Sequence, residues 1–190
     1  LNAAQMQFHQ RRPAEQLFDV ETDPHEVNNL AADPKHAKVL ADLRARMQEK
    51  LRDIHDLSFY PESFMVQNAL KDGVAFGRFN HKEINRLADI ADLALLPFDQ
   101  ARKPLAAALQ AKSPMELYWA CTTASVIGKE ARPLVPLVKK LLKHENLLVR
   151  MRAAEFLGSI QAADPMPTLL GVLNTAKTEQ ELMLTFNAVV

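Results

Sequence analysis

One design of helix recurs after residue 80 and restricts the chain to architectures that stack helices. Ser113-Pro114-Met115-Glu116 joins an N-cap hydroxyl, an N1 proline and an N3 glutamate; Leu117, Ala120, Cys121, Ala124 and Ile127 then share one face, and Gly128 offers a C′ stop. The design returns with Asn146 as cap, Val149, Ala153, Phe156 and Leu157 as the stripe, and Gly158 as the stop. It starts again at Thr178, with Leu182, Phe186 and Val189. A first helix precedes each of these, over residues 104–109, 134–142 and 166–173. Two helices per unit and a period of about 30 to 33 residues mark an α-solenoid, whose units bury their apolar faces only against one another.

One of these units carries a family likeness. The run Glu145-Asn146-Leu147-Leu148-Val149-Arg150-Met151-Arg152-Ala153-Ala154-Glu155-Phe156-Leu157-Gly158 resembles the second half of a HEAT-like repeat, a polar loop followed by Val-Arg-x-x-Ala-Ala-x-x-Leu-Gly. Small alanines let neighbouring helices approach, while valine and leucine fill the space between them.

The first 80 residues follow other rules. Gln16-Leu17-Phe18-Asp19-Val20 reads as a short strand closed by the turn formers Thr22-Asp23-Pro24, and no later segment offers it a convincing partner. Asp33-Pro34 supplies an N-cap and an N1 proline, and Ala37, Leu40, Leu43 or Arg44, Met47, Leu51 and Ile54 follow at helical spacing. A long amphipathic helix over residues 34–54 is expected. From His55 to Phe79 the pattern weakens into an irregularly packed connector with scattered aromatics and room for a short helix after Pro61, and a helix resumes with Asn80 and Glu83 placed as a capping box. Its stripe is Ile84, Leu87, Ala88, Ala91, Ala94 and Leu95, and Pro97 ends it.

Composition excludes several functions. With 48% hydrophobic residues over 190, the chain can bury a core. Lys plus Arg equals Asp plus Glu at 23 each, so no global field gathers nucleic acid. The single cysteine rules out an internal disulfide framework and any multi-cysteine zinc site. No apolar run approaches the ~20 residues of a membrane span, and residues 1–12 lack the pattern of a signal peptide. The absence of an initiator methionine and the helical pattern still running at Val190 suggest a fragment at both ends.

The block Arg12-Pro13-Ala14-Glu15-Gln16-Leu17-Phe18-Asp19-Val20-Glu21-Thr22-Asp23-Pro24-His25-Glu26-Val27-Asn28-Asn29-Leu30-Ala31 resembles the closing motif of type I sulfatases, approximately Pro-x-Glu-Glu-Leu-Tyr-Asp-Leu-x-x-Asp-Pro-x-Glu-x-x-Asn-Leu-Ala. The likeness continues through Asp33-Pro34 to His55-Asp56, in an order similar to heparan N-sulfatases. It implies a structural role: Leu17 and Phe18 complete a small sheet, Asp23-Pro24 turns the chain, and Asn28 or Asn29 bonds backbone groups before the long helix. It also implies a periplasmic or secreted parent that hydrolyses sulfate esters or N-sulfate groups, using formylglycine and a calcium ion in another domain.

No residue here is assigned a catalytic, cofactor-binding or metal role. The Cys/Ser-x-Pro-x-Arg motif of that family does not occur, because Cys121 is followed by Thr122, Thr123, Ala124 and Ser125. Cys121 therefore reads as a packed thiol. His144-Glu145 fails the HExxH pattern, since its second histidine position is Leu148. His25, His36 and His55 lack ligand-like spacing; in the parent, His55 could approach the rim of the substrate pocket. Lys139, Lys140, Lys143, Arg150 and Arg152 form a cationic cluster, read as a solvated helix face or a contact for sulfated glycan.

The resulting expectation is a mainly α chain: residues 1–60 as the C-terminal segment of a sulfatase domain, with one strand and one long helix, 61–79 as connector and 80–190 as HEAT-like repeats. Its partner would be the parent's catalytic domain. The competing reading is a free-standing HEAT-like protein-interaction module.

Overall fold

Capping side chains start several of the helices. Asp33, Asp72, Ser113, Asn146 and Thr178 each accept a backbone N–H that the following turn would otherwise leave unpaired. The computed structural model describes residues 1–10 and 13–188, and among them every regular element is helical. In chain order the helices are α1 (Ala3–Met6), α2 (Ala37–Ile54), α3 (Glu62–Asn68), α4 (Gly73–Phe79), α5 (His81–Asp92) and α6 (Phe98–Ala108). There follow α7 (Pro114–Ile127), α8 (Val135–Leu141), α9 (Leu147–Ser159), α10 (Met166–Thr175) and α11 (Glu179–Asn187). Arg12 of the tail motif and Val189 of the last expected stripe lie outside the described residues.

The chain divides into two compact units, Leu1–Ile54 and His55–Val190. In the first, no residue whose side chain is described is buried. The apolar stripe of α2 forms as the spacing requires, but Val39, Leu43, Met47 and Ile54 are each about half exposed or more.

The second unit has a continuous core. Helices α5, α7 and α9 lie side by side and α11 continues the row, packed on α10 and touching α9 through Thr185, while α6, α8 and α10 form a second layer. The offsets of the side-chain bonds set the direction of the first layer. Glu83 meets Ser113 and Arg86 meets Glu116 across α5 and α7, 30 residues apart. Tyr118 meets Arg152 across α7 and α9, and Met151 meets Thr185 across α9 and α11, 34 residues apart. The two α5–α7 bonds share one offset, so these helices run parallel; Arg132 just past α7 reaches the Ile160 carbonyl just past α9, and Arg150 near the start of α9 reaches Thr175 at the end of α10, directly before α11, so the four N-termini fall along one edge.

Residues 57–76 pack on the start of this layer. Tyr60, 2% exposed, sits with Ile84, Leu87 and Met115 and stacks on Phe64 at 4.9 Å. Trp119 donates its indole N–H to the Phe59 carbonyl at 2.6 Å. The stretch read as an irregular connector thus contributes aromatic side chains to the core, and α3 reaches α11 as well.

Several local expectations are corrected. Gln16-Leu17-Phe18-Asp19-Val20 forms no strand; the Leu17 amide donates to Asn29 Oδ1 and its carbonyl accepts from Leu30, so its backbone pairs without a ladder. Asn80 and Glu83 form no capping box, because Asn80 donates to the Phe76 carbonyl and the Glu83 carboxylate takes the Tyr60 and Ser113 hydroxyls. The helix expected from Pro104 begins at Phe98 and carries Pro104 inside it. On α11 the buried face lies one residue earlier than the expected stripe: Glu181 and Thr185 are buried and Phe186 is exposed. Burying Thr185 is inexpensive because its hydroxyl bonds the Glu181 carbonyl at 2.7 Å.

Gly128 and Gly158 occupy equivalent places in the repeat for different reasons. Gly128 ends α7 with φ 75° and ψ −135°, a conformation side chains resist. Gly158 is helical, and a Cβ there would meet Pro165 Cγ at 2.7 Å. Helix propensity favours alanine by about 1 kcal/mol at both Gly158 and the unobstructed Gly171. The contact reverses the sign at one of them: in urea denaturation Gly158→Ala should destabilise the helical unit by about 1–3 kcal/mol, while Gly171→Ala leaves it unchanged or raises its midpoint.

Candidate functional site

The tail motif places Asp19, Thr22, Asp23 and Asn29 on backbone groups of its own bend. Asp19 takes the Glu21 amide at 3.2 Å and the Thr22 hydroxyl at 2.9 Å, closing the turn. Asp23 accepts from the Asn28 amide at 2.7 Å. Asn29 is the hub: its Oδ1 accepts from Leu17 and Ala31, and its Nδ2 donates to the Glu15 carbonyl. Of the two asparagines considered for this task, Asn29 is the one whose side chain performs it. An amide is required because the site needs an acceptor and a donor on one planar group.

Glu15 ties the motif to the long helix. Its two carboxylate oxygens accept from Arg44 Nε and Nη2, each at 2.6 Å, in a forked pair. The Arg44 guanidinium holds the Glu15 carboxyl below its ordinary value. No sequence pattern pointed to this pair, since its members are 29 residues apart and Arg44 stands at an ambiguous stripe position. Beside the motif, Asn2, Gln5, Gln7, Gln16, Phe18 and His25 line an open cleft of about 420 Å³.

The candidate reactive residues are dispersed. Cys121 is wholly buried in the core of α7, and burial pushes its thiol up to about 12. His144 Nδ1 accepts from the Asn146 amide at 3.1 Å in the loop before α9. His25 is exposed, and His36 lies 3.9 Å from Asp33. His55 stands at φ 50° with its ring edge-on to His81, 5.9 Å between centroids. Among the described residues no group of three His, Cys, Asp or Glu is placed to hold a metal ion.

The cationic cluster divides in two. Lys139, Lys140 and Lys143 are exposed. Arg150 instead donates to the carbonyls of His144 and Glu145, at 2.8 and 2.9 Å, and fastens the loop that precedes its helix. Arg152 is turned inward, 4.8 Å over the Tyr118 ring, donating to the Tyr118 hydroxyl and to Glu155 at 2.6 Å each. Burial opposes its charge, yet Tyr118 and Glu155 keep it protonated above its ordinary range. A second network missed from sequence joins Tyr60, Glu83 and Ser113, where burial and the Glu83 carboxylate hold the Tyr60 phenol well above its usual value. Both networks depend on residues 23 to 34 apart, beyond the reach of local periodicity.

Comparison with known proteins relates part of the chain to a sulfatase. No family model matches the chain, and no solved structure does. Over 74 residues, 38% of its length, the chain is 40% identical to an ulvan-active sulfatase of Formosa agariphila. The match spans 12% of that protein. The chain therefore carries a sulfatase-related region and is mainly helical.

The Glu15–Arg44 pair generates a pH prediction. A depressed folded value means stability present above the unfolded pKa, about 4.3, and lost as pH falls through the folded one. Carbon-detected NMR titration should find Glu15 below the exposed glutamates, and Arg44→Met should return it to their range. Coincident titration in both proteins would remove the pair from the account.

Proposed function

We propose that this chain is the non-catalytic C-terminal part of a sulfatase, whose catalytic domain hydrolyses sulfate esters or N-sulfate groups on sulfated glycans. The observation that carries the reading is the 40% identity to an ulvan-active sulfatase. The bonding of Glu15, Asp19, Asp23 and Asn29 supports it, because each of these four side chains has a structural task. The half-exposed stripe of α2 is the kind of surface that a larger domain would cover.

Within this reading the order of residues 12–56 favours a heparan N-sulfatase-like parent. The parent is exported to the periplasm or beyond, and calcium and formylglycine belong to its catalytic domain. The parallel offsets and paired layers of His55–Val190 support HEAT-like repeats that pack on or extend from the enzyme. Among the described residues no helix is long and apolar enough to cross a membrane.

The test is the longer open reading frame. It should contain a Cys/Ser-x-Pro-x-Arg segment before Leu1, and the full product should release sulfate from an aryl sulfate in a calcium-dependent way, while residues 1–190 alone release none. A frame that starts shortly before Leu1 would defeat the proposal in favour of a free-standing interaction module.

A further inference from the structure

Four lysines recur along one edge of the helix layer. Lys82 is the second residue of α5, Lys112 directly precedes the Ser113 cap, Lys143 stands in the loop before Asn146, and Lys177 directly precedes the Thr178 cap. Their positions differ by 30, 31 and 34 residues, as the numbering gives, so each step of the stack contributes one. Since the N-termini of α5, α7, α9 and α11 fall along one edge, all four lie at that edge. All are exposed, and among the described residues none takes part in an ion pair.

The fold does not account for this row. Helix N-termini are positive ends and favour anions, so a cation there works against stability. The carboxylates nearest the row are largely engaged. Glu83 takes two hydroxyls, Glu116 pairs with Arg86 at 3.2 Å, and Glu181 accepts the Lys177 and Thr178 amides. Exposed Glu145 and Glu179, with Glu62 beside Glu179, thin the charge of the edge without cancelling it. Lys139 and Lys140, in the last turn of α8, broaden the row at its middle.

We infer that this edge binds a linear sulfated polysaccharide, laid across the N-termini of α5, α7, α9 and α11. Packed helices stand about 8–10 Å apart, which offers one cation per step to a chain that carries permanent anions at intervals. Single exposed contacts of this kind are weak, and their linkage along one ligand makes the binding useful. Duplex DNA, with a charge per ~1.7 Å, rewards a denser patch than this. The inference names a substrate-holding surface for the proposed sulfatase and so rests on that reading.

The test uses residues 1–190 and heparin as probe, by calorimetry at low salt. Replacing Lys82, Lys112, Lys143 and Lys177 together by Gln should weaken binding by about tenfold or more, and replacing the same four by Arg should preserve it. A control with Gln at Lys35, Lys38, Lys50 and Lys71, all exposed, should lose about twofold or less. No heparin binding at low salt, equal loss in the control, loss in the Arg variant, or equally tight binding of a DNA duplex would each overturn the inference. Sulfate release from a small aryl sulfate by the longer protein does not depend on this edge, so the two readings fail separately.

Discussion

The close packing of α7 on α9 supports the rest of the helical unit. Ala120, Cys121 and Ala124 from one helix and Ala153 from the other are wholly buried in the same cluster. Small side chains along that seam let the helices approach, and Phe156, Leu157 and Val149 fill the remaining space. With neighbours on several sides, both helices are buried over most of their circumference, beyond the single stripe of an ordinary amphipathic helix. Arg152 crosses the same seam to Tyr118, so the contact is polar at one point and apolar along the rest.

The first unit is held differently. None of its described side chains is buried, and its shape comes from hydrogen bonds of Asp19, Asp23 and Asn29 to a bent backbone and from the Glu15–Arg44 fork. Such bonds each contribute only about 0.5–1.5 kcal/mol in net terms. They specify a conformation more readily than they stabilise a domain. A segment of this kind fits a part of a larger protein whose apolar cover lies elsewhere, as the proposed parentage requires.

Helix starts were legible from short-range chemistry, because Asp33, Ser113, Asn146 and Thr178 act on amides within three residues. The same chemistry misled at Asn80, where Glu83 found better partners in Tyr60 and Ser113. Arg152 read as a surface cation because nothing local marks the Tyr118 ring 34 residues away as its seat. The role of residues 57–76 was illegible for a related reason: their aromatics have no helical period of their own and are ordered by Met115 and Trp119. The strand read at residues 16–20 has a strand-like composition but lacks a partner among the described residues, and composition alone cannot close a ladder.

The contrast between a unit with its own core and one held by polar bonds is the central claim, and hydrogen exchange on the intact chain tests it most directly. Amides of α7 and α9 should exchange only through global opening of His55–Val190, and those of α2 should exchange orders of magnitude faster, as expected of a helix whose apolar face is half exposed. Protection of α2 equal to that of α9 would contradict the account.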